Sequence, residues 1–237
     1  MGEVTRSGDE VLVSVHPPRR HERLLYGFVR GAIVVFAKLF WRLDVRGAEH
    51  IPADRPFVLA PVHRSNVDFA LVSTVVRRRM RYLGKDTLWK APRAFGWFIS
   101  TLGAFPVRRG SADRAALRTC TEVIGHGEPL VMFPEGTRQQ GPVVQELFDG
   151  PAYVAARTGV ALVPVGIGGS ALAMPKGSKL LRPVKICVEI GAPMWPTTAG
   201  GGRASRREVR ELTERLHVEV QRLFDVAQER AGNSNPP

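Results

Sequence analysis

Short apolar runs recur along this chain, and segments with helical periodicity separate them. The runs that have the length and composition of buried strands are 57–60, 81–83, 103–107, 130–133, 162–167 and 184–190. Strands that alternate with helices favour an α/β domain whose sheet is largely buried, because helices cover its faces. We therefore predict an α/β fold in which helices flank a central, mostly buried sheet.

The charge balance points to an anionic partner. The 237 residues include 34 Lys and Arg against 22 Asp and Glu, which leaves a net charge of +12. Nucleic acid, an anionic membrane surface and a phosphorylated substrate all suit such a chain. Zinc-finger spacing, basic runs interleaved with aromatic residues and an RNA-binding signature are absent from the sequence, so no nucleic acid is expected.

The cysteines and histidines indicate neither disulfide bonds nor a metal site. Cys120 and Cys187 lie far apart, each within an apolar segment. We interpret them as reduced packing residues of a cytoplasmic protein. The six histidines have no metal-ligand spacing with Cys, Asp or Glu, so no metal is expected. The first twenty residues lack the apolar run of a secretory signal.

Composition and periodicity divide the chain into five parts. We predict a flexible N-terminus at 1–21, an interfacial membrane helix at 22–43 and the main domain at 44–197. A C-terminal helix at 204–230 and a disordered tail at 231–237 follow. A capping-box pattern, Ser then Glu three residues later, opens the C-terminal helix.

The segment 22–43 is predicted to be an amphipathic helix. Arg23, Arg30, Lys38 and Arg42 fall in one sector of roughly 120°, and aliphatic and aromatic residues occupy the other side. This pattern suits a helix that lies in an anionic membrane interface. An ordinary helix packed on its own domain is the alternative. The uncharged stretches are too short to span a bilayer.

A histidine and an aspartate five residues apart lie between two apolar runs. His63 follows the predicted strand at 57–60, and Asp68 falls in the first turn of a helix that Ser65 is predicted to cap. A bend between them lets the carboxylate accept the Nδ1 proton of His63, which leaves Nε2 free to take a proton from a substrate hydroxyl. Alternatively, Ser65 and Asp68 form only a capping box.

Other charged residues also follow apolar strands. Lys85, Arg109 and the run Glu135-Gly136-Thr137-Arg138 come where predicted strands end. Strand ends of this kind line the ligand crevice of open α/β sheets. Arg109 and Arg138 can grip a phosphate with bidentate donors. Gly136 permits close approach of the backbone, and the amides of Gly136 and Thr137 are candidate donors to an oxyanion.

Four segments together resemble the glycerolipid acyltransferases with a His-x4-Asp motif, specifically the 1-acylglycerol-3-phosphate (lysophosphatidic acid) O-acyltransferases. They are 63–68, 103–109, 133–138 and 163–167, and the likeness extends over roughly residues 44–192. The resemblance implies the glycerolipid acyltransferase fold. It also implies a peripheral enzyme at the cytoplasmic face of the membrane that needs no metal, cofactor or covalent intermediate.

The implied reaction moves a fatty acyl group from acyl-CoA or acyl carrier protein to the free hydroxyl of 1-acylglycerol-3-phosphate, giving phosphatidic acid. By the same resemblance, His63 is the general base and Asp68 orients it. The residues assigned to substrate binding are Lys85, Arg109, Glu135, Gly136, Thr137, Arg138 and Pro164. Pro164 is expected to shape the acceptor site.

Departures from the family pattern leave other acceptors open. Val62 stands where Asn is usual, Gln139 where Ser is frequent, and Asp149 where Lys is common. A carboxylate at Asp149 would repel a phosphate or contact a sugar or amine headgroup. The alternatives are another lysolipid or polar lipid as acceptor, or a non-catalytic basic membrane-binding protein. Aromatic residues that are candidates to plug an acyl tunnel are Phe95, Trp97 and Phe98.

Overall fold

The structure is a computed structural model that describes residues 4–7, 10–13, 19–90, 93–107, 114–175, 177–178, 180–197 and 205–233. Its strands are β1 (Val4–Ser7), β2 (Glu10–Val13), β3 (Asp44–Arg46), β4 (Phe57–Pro61), β5 (Arg81–Lys85), β6 (Ala104–Val107), β7 (Leu130–Val131), β8 (Ala161–Gly168) and β9 (Cys187–Ile190). Its helices are α1 (Arg20–Phe40), α2 (Asp68–Thr74), α3 (Arg93–Thr101), α4 (Arg114–Gly125), α5 (Gly150–Thr158), α6 (Ser170–Ala173) and α7 (Arg206–Arg230).

Seven strands form one sheet in the order β3-β9-β8-β4-β7-β5-β6. The five strands from β8 to β6 are parallel to one another. β9 pairs antiparallel with β8, and β3 pairs parallel with β9. The predicted α/β fold with a central buried sheet is therefore confirmed, with an antiparallel extension at one edge.

The two central strands explain why the apolar runs are so continuous. Every residue of β4 and of β8 is buried, because helices cover both faces of this part of the sheet. The two strands pair in register, with Leu59 opposite Val163. β7 lies on the other side of β4. Since these strands are parallel, the loops after β4, β7, β5 and β6 all leave from the same edge of the sheet.

The C-terminal helix α7 packs directly on β8. Its N-cap is Ser205, whose hydroxyl accepts a hydrogen bond from the Glu208 amide at 3.1 Å, as the capping-box pattern predicts. An ideal Cβ on Gly166 of β8 would lie only 2.3 Å from the Leu223 carbonyl. On Gly168 it would lie 2.1 Å from the Ala227 carbonyl oxygen. Glycine is thus required where the strand and the helix backbone touch.

Some elements differ from the sequence-based expectations. β1 and β2 form an antiparallel pair within residues 1–21, which were expected to be flexible. β3 was not predicted, because three residues carry too little pattern and only the pairing with β9 defines the strand. The segment 108–113 with Arg109, the Gly-rich segment 198–204 and the C-terminal 234–237 lie outside the described residues.

Both cysteines are buried and neither forms a disulfide bond. Burial raises the pKa of the Cys120 thiol to about 12. Burial also raises the pKa of the Cys187 thiol. Both thiols therefore stay protonated and unreactive near neutral pH, which agrees with a packing role.

We expect Gly166→Ala to destabilise the protein, because the added methyl group would overlap the backbone of α7. Overpacking of this kind costs about 1–3 kcal/mol, and the melting temperature should fall accordingly. The matched control is Gly27→Ala in α1, where nothing lies within 4 Å of the new methyl group. That variant should gain about 0.5–1 kcal/mol from helix propensity. Equal melting temperatures for both variants would contradict the close approach of α7 to β8.

Candidate active site

A sharp turn joins β4 to α2. The helix begins at Asp68, and its N-cap is Val67 rather than the predicted Ser65. The Ser65 hydroxyl instead donates to the Met174 carbonyl at 2.9 Å. This contact ties the turn to the segment that follows α6.

His63 and Asp68 meet across this turn, as predicted. His63 Nδ1 lies 2.9 Å from Asp68 Oδ2, and the two residues are 3% and 0% exposed. The same oxygen accepts the backbone amides of Arg64 and Ser65, each at 2.7 Å. A carboxylate accepts, so Nδ1 carries a hydrogen, and in the neutral imidazole this tautomer leaves the lone pair on Nε2. The predicted His63–Asp68 contact is therefore present, and the alternative capping box is formed only in part: Asp68 accepts the Ser65 amide, but the Ser65 hydroxyl does not cap the helix.

Two phenylalanine rings hold the imidazole of His63. The Phe133 ring lies 4.1 Å from it at an interplanar angle of 31°, and the Phe69 ring packs edge-on at 5.3 Å. These contacts restrict the rotamer of His63 and keep water from its sides. Sequence reasoning placed both rings only within apolar runs; their position next to the charged motifs was the available signal.

Glu135 lies inside the protein and not on a ligand surface. Its Oε2 accepts the His63 amide at 3.0 Å, and its Oε1 accepts the Gln145 amide at 3.1 Å. Arg64 Nη1 donates to both carboxylate oxygens, at 2.9 and 2.7 Å. The structure thus places Glu135 behind His63, which does not fit the expectation that it contacts the phosphate.

Gly136 and Thr137 form a tight turn. Gly136 has φ +68°, and a Cβ there would lie 2.7 Å from the Phe148 ring. The Gly136 amide donates to the Phe133 carbonyl at 3.0 Å, and the Thr137 amide donates to the Glu135 carbonyl at 2.7 Å. Both amides are occupied within the turn, so they do not supply the predicted oxyanion donors in this conformation.

A cavity of about 540 Å³ opens beside His63. Its walls come from α1, α2, α3, β5 and β6 and from the segments that follow β4, β5, α3 and β7. The lining residues are Tyr26, Val29, Arg30, Ile33, His63, Asn66, Phe69, Ala70, Ser73, Tyr82, Leu83, Gly84, Thr87, Leu88, Ile99, Leu102, Ala104 and Arg138. His63 and Arg138, both predicted site residues, therefore share one mostly apolar cavity. The part played by α1 was not predicted.

The remaining predicted site residues lie in different places. Lys85 is the last residue of β5, directly after Gly84 of the cavity wall. Pro164 lies within β8 opposite Ala60, and its ring packs near Gly191; it does not line the cavity. The expectation that Pro164 shapes the acceptor site is therefore not met in this cavity.

Asp149 does not face a ligand either. Its Oδ1 accepts a hydrogen bond from the Thr213 hydroxyl of α7 at 2.7 Å. Asp149 is exposed and is not among the residues that line the cavity beside His63.

The site can be compared with known proteins. The family model described as Acyltransferase matches residues 42–168. A chloroplastic 1-acyl-sn-glycerol-3-phosphate acyltransferase of Arabidopsis thaliana is 31% identical over 144 residues, which are 59% of this chain and 40% of that protein. The 1-acyl-sn-glycerol-3-phosphate acyltransferase of Bacillus subtilis (strain 168) is 26% identical over 84% of this chain and 96% of that protein. The chain thus spans less than half the length of the plant relative.

A solved structure has the same overall fold. The 1-acyl-sn-glycerophosphate (LPA) acyltransferase PlsC from Thermotoga maritima superposes with a TM-score of 0.67 at 28% sequence identity, covering 86% of this chain and 83% of that one. The family match takes in β4, the His63–Asp68 turn, the loop after β7 and β8. Because this match includes more than half of the residues, with His63, Asp68 and Glu135 among them, the chain belongs to the acyltransferase family.

Proposed function

We propose that the protein is a 1-acylglycerol-3-phosphate O-acyltransferase. It takes a fatty acyl group from acyl-CoA or acyl carrier protein and transfers it to the free hydroxyl of the lysolipid, giving phosphatidic acid. The observation that carries the proposal is the buried His63–Asp68 pair on the wall of a mostly apolar cavity that also contains Arg138. The names of the relatives support the same substrate class.

The geometry suits proton abstraction from an alcohol. Asp68 holds Nδ1–H of His63, so Nε2 accepts the proton of the lysolipid hydroxyl. The oxygen attacks the thioester carbonyl, the new C–O bond forms, and collapse of the tetrahedral intermediate breaks the C–S bond. The imidazolium then returns its proton to the departing thiolate. No covalent bond to the protein is needed at any step.

Arg138 is the guanidinium that we assign to the substrate phosphate. Arg30, which also lines the cavity within the described part of the chain, already donates to the carbonyls of Ser73, Thr74 and Val76 at the end of α2. Arg138 follows the carboxyl end of β7, on the same edge of the sheet as His63. Lys85 and Arg109 remain proposed further cations for the same headgroup.

The cavity provides room for an acyl chain. Val29 and Ile33 of α1, Ile99 of α3 and Leu102 just after α3 are apolar parts of its wall. The aromatic residues predicted as tunnel plugs do not line the cavity. Phe95, Trp97 and Phe98 are 44%, 51% and 37% exposed. Ile99, the residue that follows Phe98 in α3, does line the cavity.

We further propose that α1 lies on an anionic membrane at the cytoplasmic face. Tyr26 and Ala37 are buried against the domain, whereas apolar side chains on another side of the helix are exposed. Those most exposed are Leu24, Phe28, Val35 and Leu39, at 58–78%. Arg30 of the predicted basic stripe points inward instead. In the described part of the chain, no helix is long and apolar enough to cross a bilayer.

Replacing the proposed base should abolish turnover. We expect His63→Ala and Asp68→Asn to lower kcat by on the order of 10²–10⁴, because the first removes the proton acceptor and the second no longer fixes the tautomer. The assay is transfer of a labelled acyl group from acyl-CoA to 1-acylglycerol-3-phosphate. Circular dichroism and vesicle binding serve as controls that the fold is kept. Full turnover by folded His63→Ala would disprove the assignment.

A panel of lysolipids with one labelled acyl-CoA tests the acceptor. We expect the phosphate monoester to be the preferred acceptor, and Arg138→Gln to raise its KM by about tenfold or more through loss of a charge-assisted pair. The matched control is Arg157→Gln, in the last turn of α5. An unchanged KM for the phosphate monoester in Arg138→Gln, or equal use of charged and uncharged acceptors by the wild-type enzyme, would contradict the phosphate site.

Membrane binding should depend on the exposed face of α1. Deleting residues 1–43 would also remove Tyr26, Val29, Arg30 and Ile33 from the cavity wall, so point variants are the sharper test. We expect the double variant Phe28→Gln/Leu39→Gln to bind phosphatidylglycerol vesicles more weakly. The affinity measured by cosedimentation should fall by about tenfold for each side chain replaced. Val218→Gln, on the exposed side of α7, is the control. Unchanged vesicle binding in the double variant would contradict the interfacial helix.

A further inference from the structure

We propose that the C-terminal helix α7 is a positioning element of the active site. Gln221 and His217 of this helix bind the segment 139–148, and Phe224 packs on Arg64, which binds Glu135 and through it the main chain of His63. The helix lies beyond residues 42–168, which match the acyltransferase family model. The inference rests on the proposed function, since it concerns how the proposed base is held in place.

The main chain of His63 is fixed by the loop that follows β7. Its amide donates to Glu135 Oε2 at 3.0 Å, and its carbonyl accepts the Gln139 amide at 2.9 Å. The catalytic turn and this loop therefore move together. Asp68 holds the imidazole from one side, while Glu135 and Gln139 hold the backbone that carries it.

Glu135 depends in turn on Arg64. The pair is enclosed, with side chains 0% and 2% exposed, and Arg64 Nη1 reaches both carboxylate oxygens. Arg64 Nη2 donates to the Val143 carbonyl at 3.2 Å. A buried ion pair keeps its geometry only when its remaining surroundings are well matched, because water cannot compensate for a displaced charge.

Phe224 of α7 covers this ion pair. The Arg64 guanidinium carbon lies 4.8 Å from the centre of the Phe224 ring, and Phe224 is buried. A cation above an aromatic face is attracted by the ring quadrupole, and more strongly when both are desolvated. The ring thus sets the position of the guanidinium that holds Glu135.

Gln221 and His217 of α7 hold the adjoining loop, one helical turn apart. Gln221 Nε2 donates to the Pro142 carbonyl at 3.1 Å, and its Oε1 accepts the Val144 amide at 2.7 Å. His217 Nε2 donates to the Val144 carbonyl at 2.9 Å. Residues 139–148 form neither helix nor strand, so side-chain contacts of this kind decide where the loop lies. A displacement of about 1 Å at a reacting group can cost on the order of 10² in rate.

The first test compares two buried substitutions in α7 of the full chain. We expect Phe224→Leu to lower kcat/KM by on the order of 10- to 100-fold at a temperature where the protein is fully folded. Val220→Ala also removes buried apolar atoms from α7, but Val220 is not at the ion pair. It should stay within about twofold of wild type for a similar fall in melting temperature. Equal activities of the two variants would overturn the inference.

A double-mutant cycle tests whether Phe224 acts through Arg64. If it does, Phe224→Leu should change kcat/KM little in the Arg64→Gln background. A fully additive loss would mean that Phe224 contributes only to packing, and would overturn the inference. Gln221→Leu gives an independent reading if Arg64→Gln does not fold. It should lower kcat/KM without touching the ion pair, and wild-type activity in that variant would count against the role of α7.

These outcomes are separate from those that test the proposed function. Loss of turnover in His63→Ala together with full activity in Phe224→Leu and Gln221→Leu would leave the acyltransferase proposal intact and remove only the role of α7. Turnover that survives His63→Ala would remove both.

Discussion

The carboxylate of Asp68 is completely enclosed, and this single buried charge organises the catalytic turn. An anion away from water must be met by donors, and one of its oxygens receives three: the imidazole Nδ1–H of His63 and the amides of Arg64 and Ser65. The donors lie on three consecutive residues, so the backbone between β4 and α2 has little freedom to differ. The orientation of the imidazole is thus a consequence of satisfying a charge, and stability and chemistry share the same contacts.

A second buried carboxylate, that of Glu135, binds the main chain of His63. Glu135 is met by Arg64 and by two amides, one of them that of His63 itself. Arg64, the residue next to the base, takes part in both clusters of hydrogen bonds. Its amide donates to Asp68, and its guanidinium donates to Glu135. The two clusters therefore share a residue. This arrangement explains why a charged run at the end of β7 is needed close to the base even though its glutamate does not face the cavity.

Much of the fold follows from local pattern, and less of the site does. β4 and β8 were predictable because both faces are covered and their residues are continuously apolar. The meeting of His63 and Asp68 followed from the bend that a strand-to-helix turn requires. The environment of Glu135 did not, because residue type alone does not show whether a carboxylate meets a ligand or a neighbouring arginine. Helical periodicity likewise gave the faces of α1 but not the carbonyl groups that Arg30 binds. Contacts between α7 and the loop after β7 join residues 77 and 79 positions apart, and no local pattern encodes them.

Helix α2 is only seven residues long, and each of its ends is hydrogen-bonded to a different part of the molecule. Its first residue, Asp68, accepts a hydrogen bond from the imidazole of His63. The carbonyl groups of its last turn accept hydrogen bonds from Arg30 of α1. A tilt of α1 against the sheet is therefore expected to displace α2 and the turn that carries His63, so the proposed membrane contact of α1 and the orientation of the imidazole both depend on this short helix.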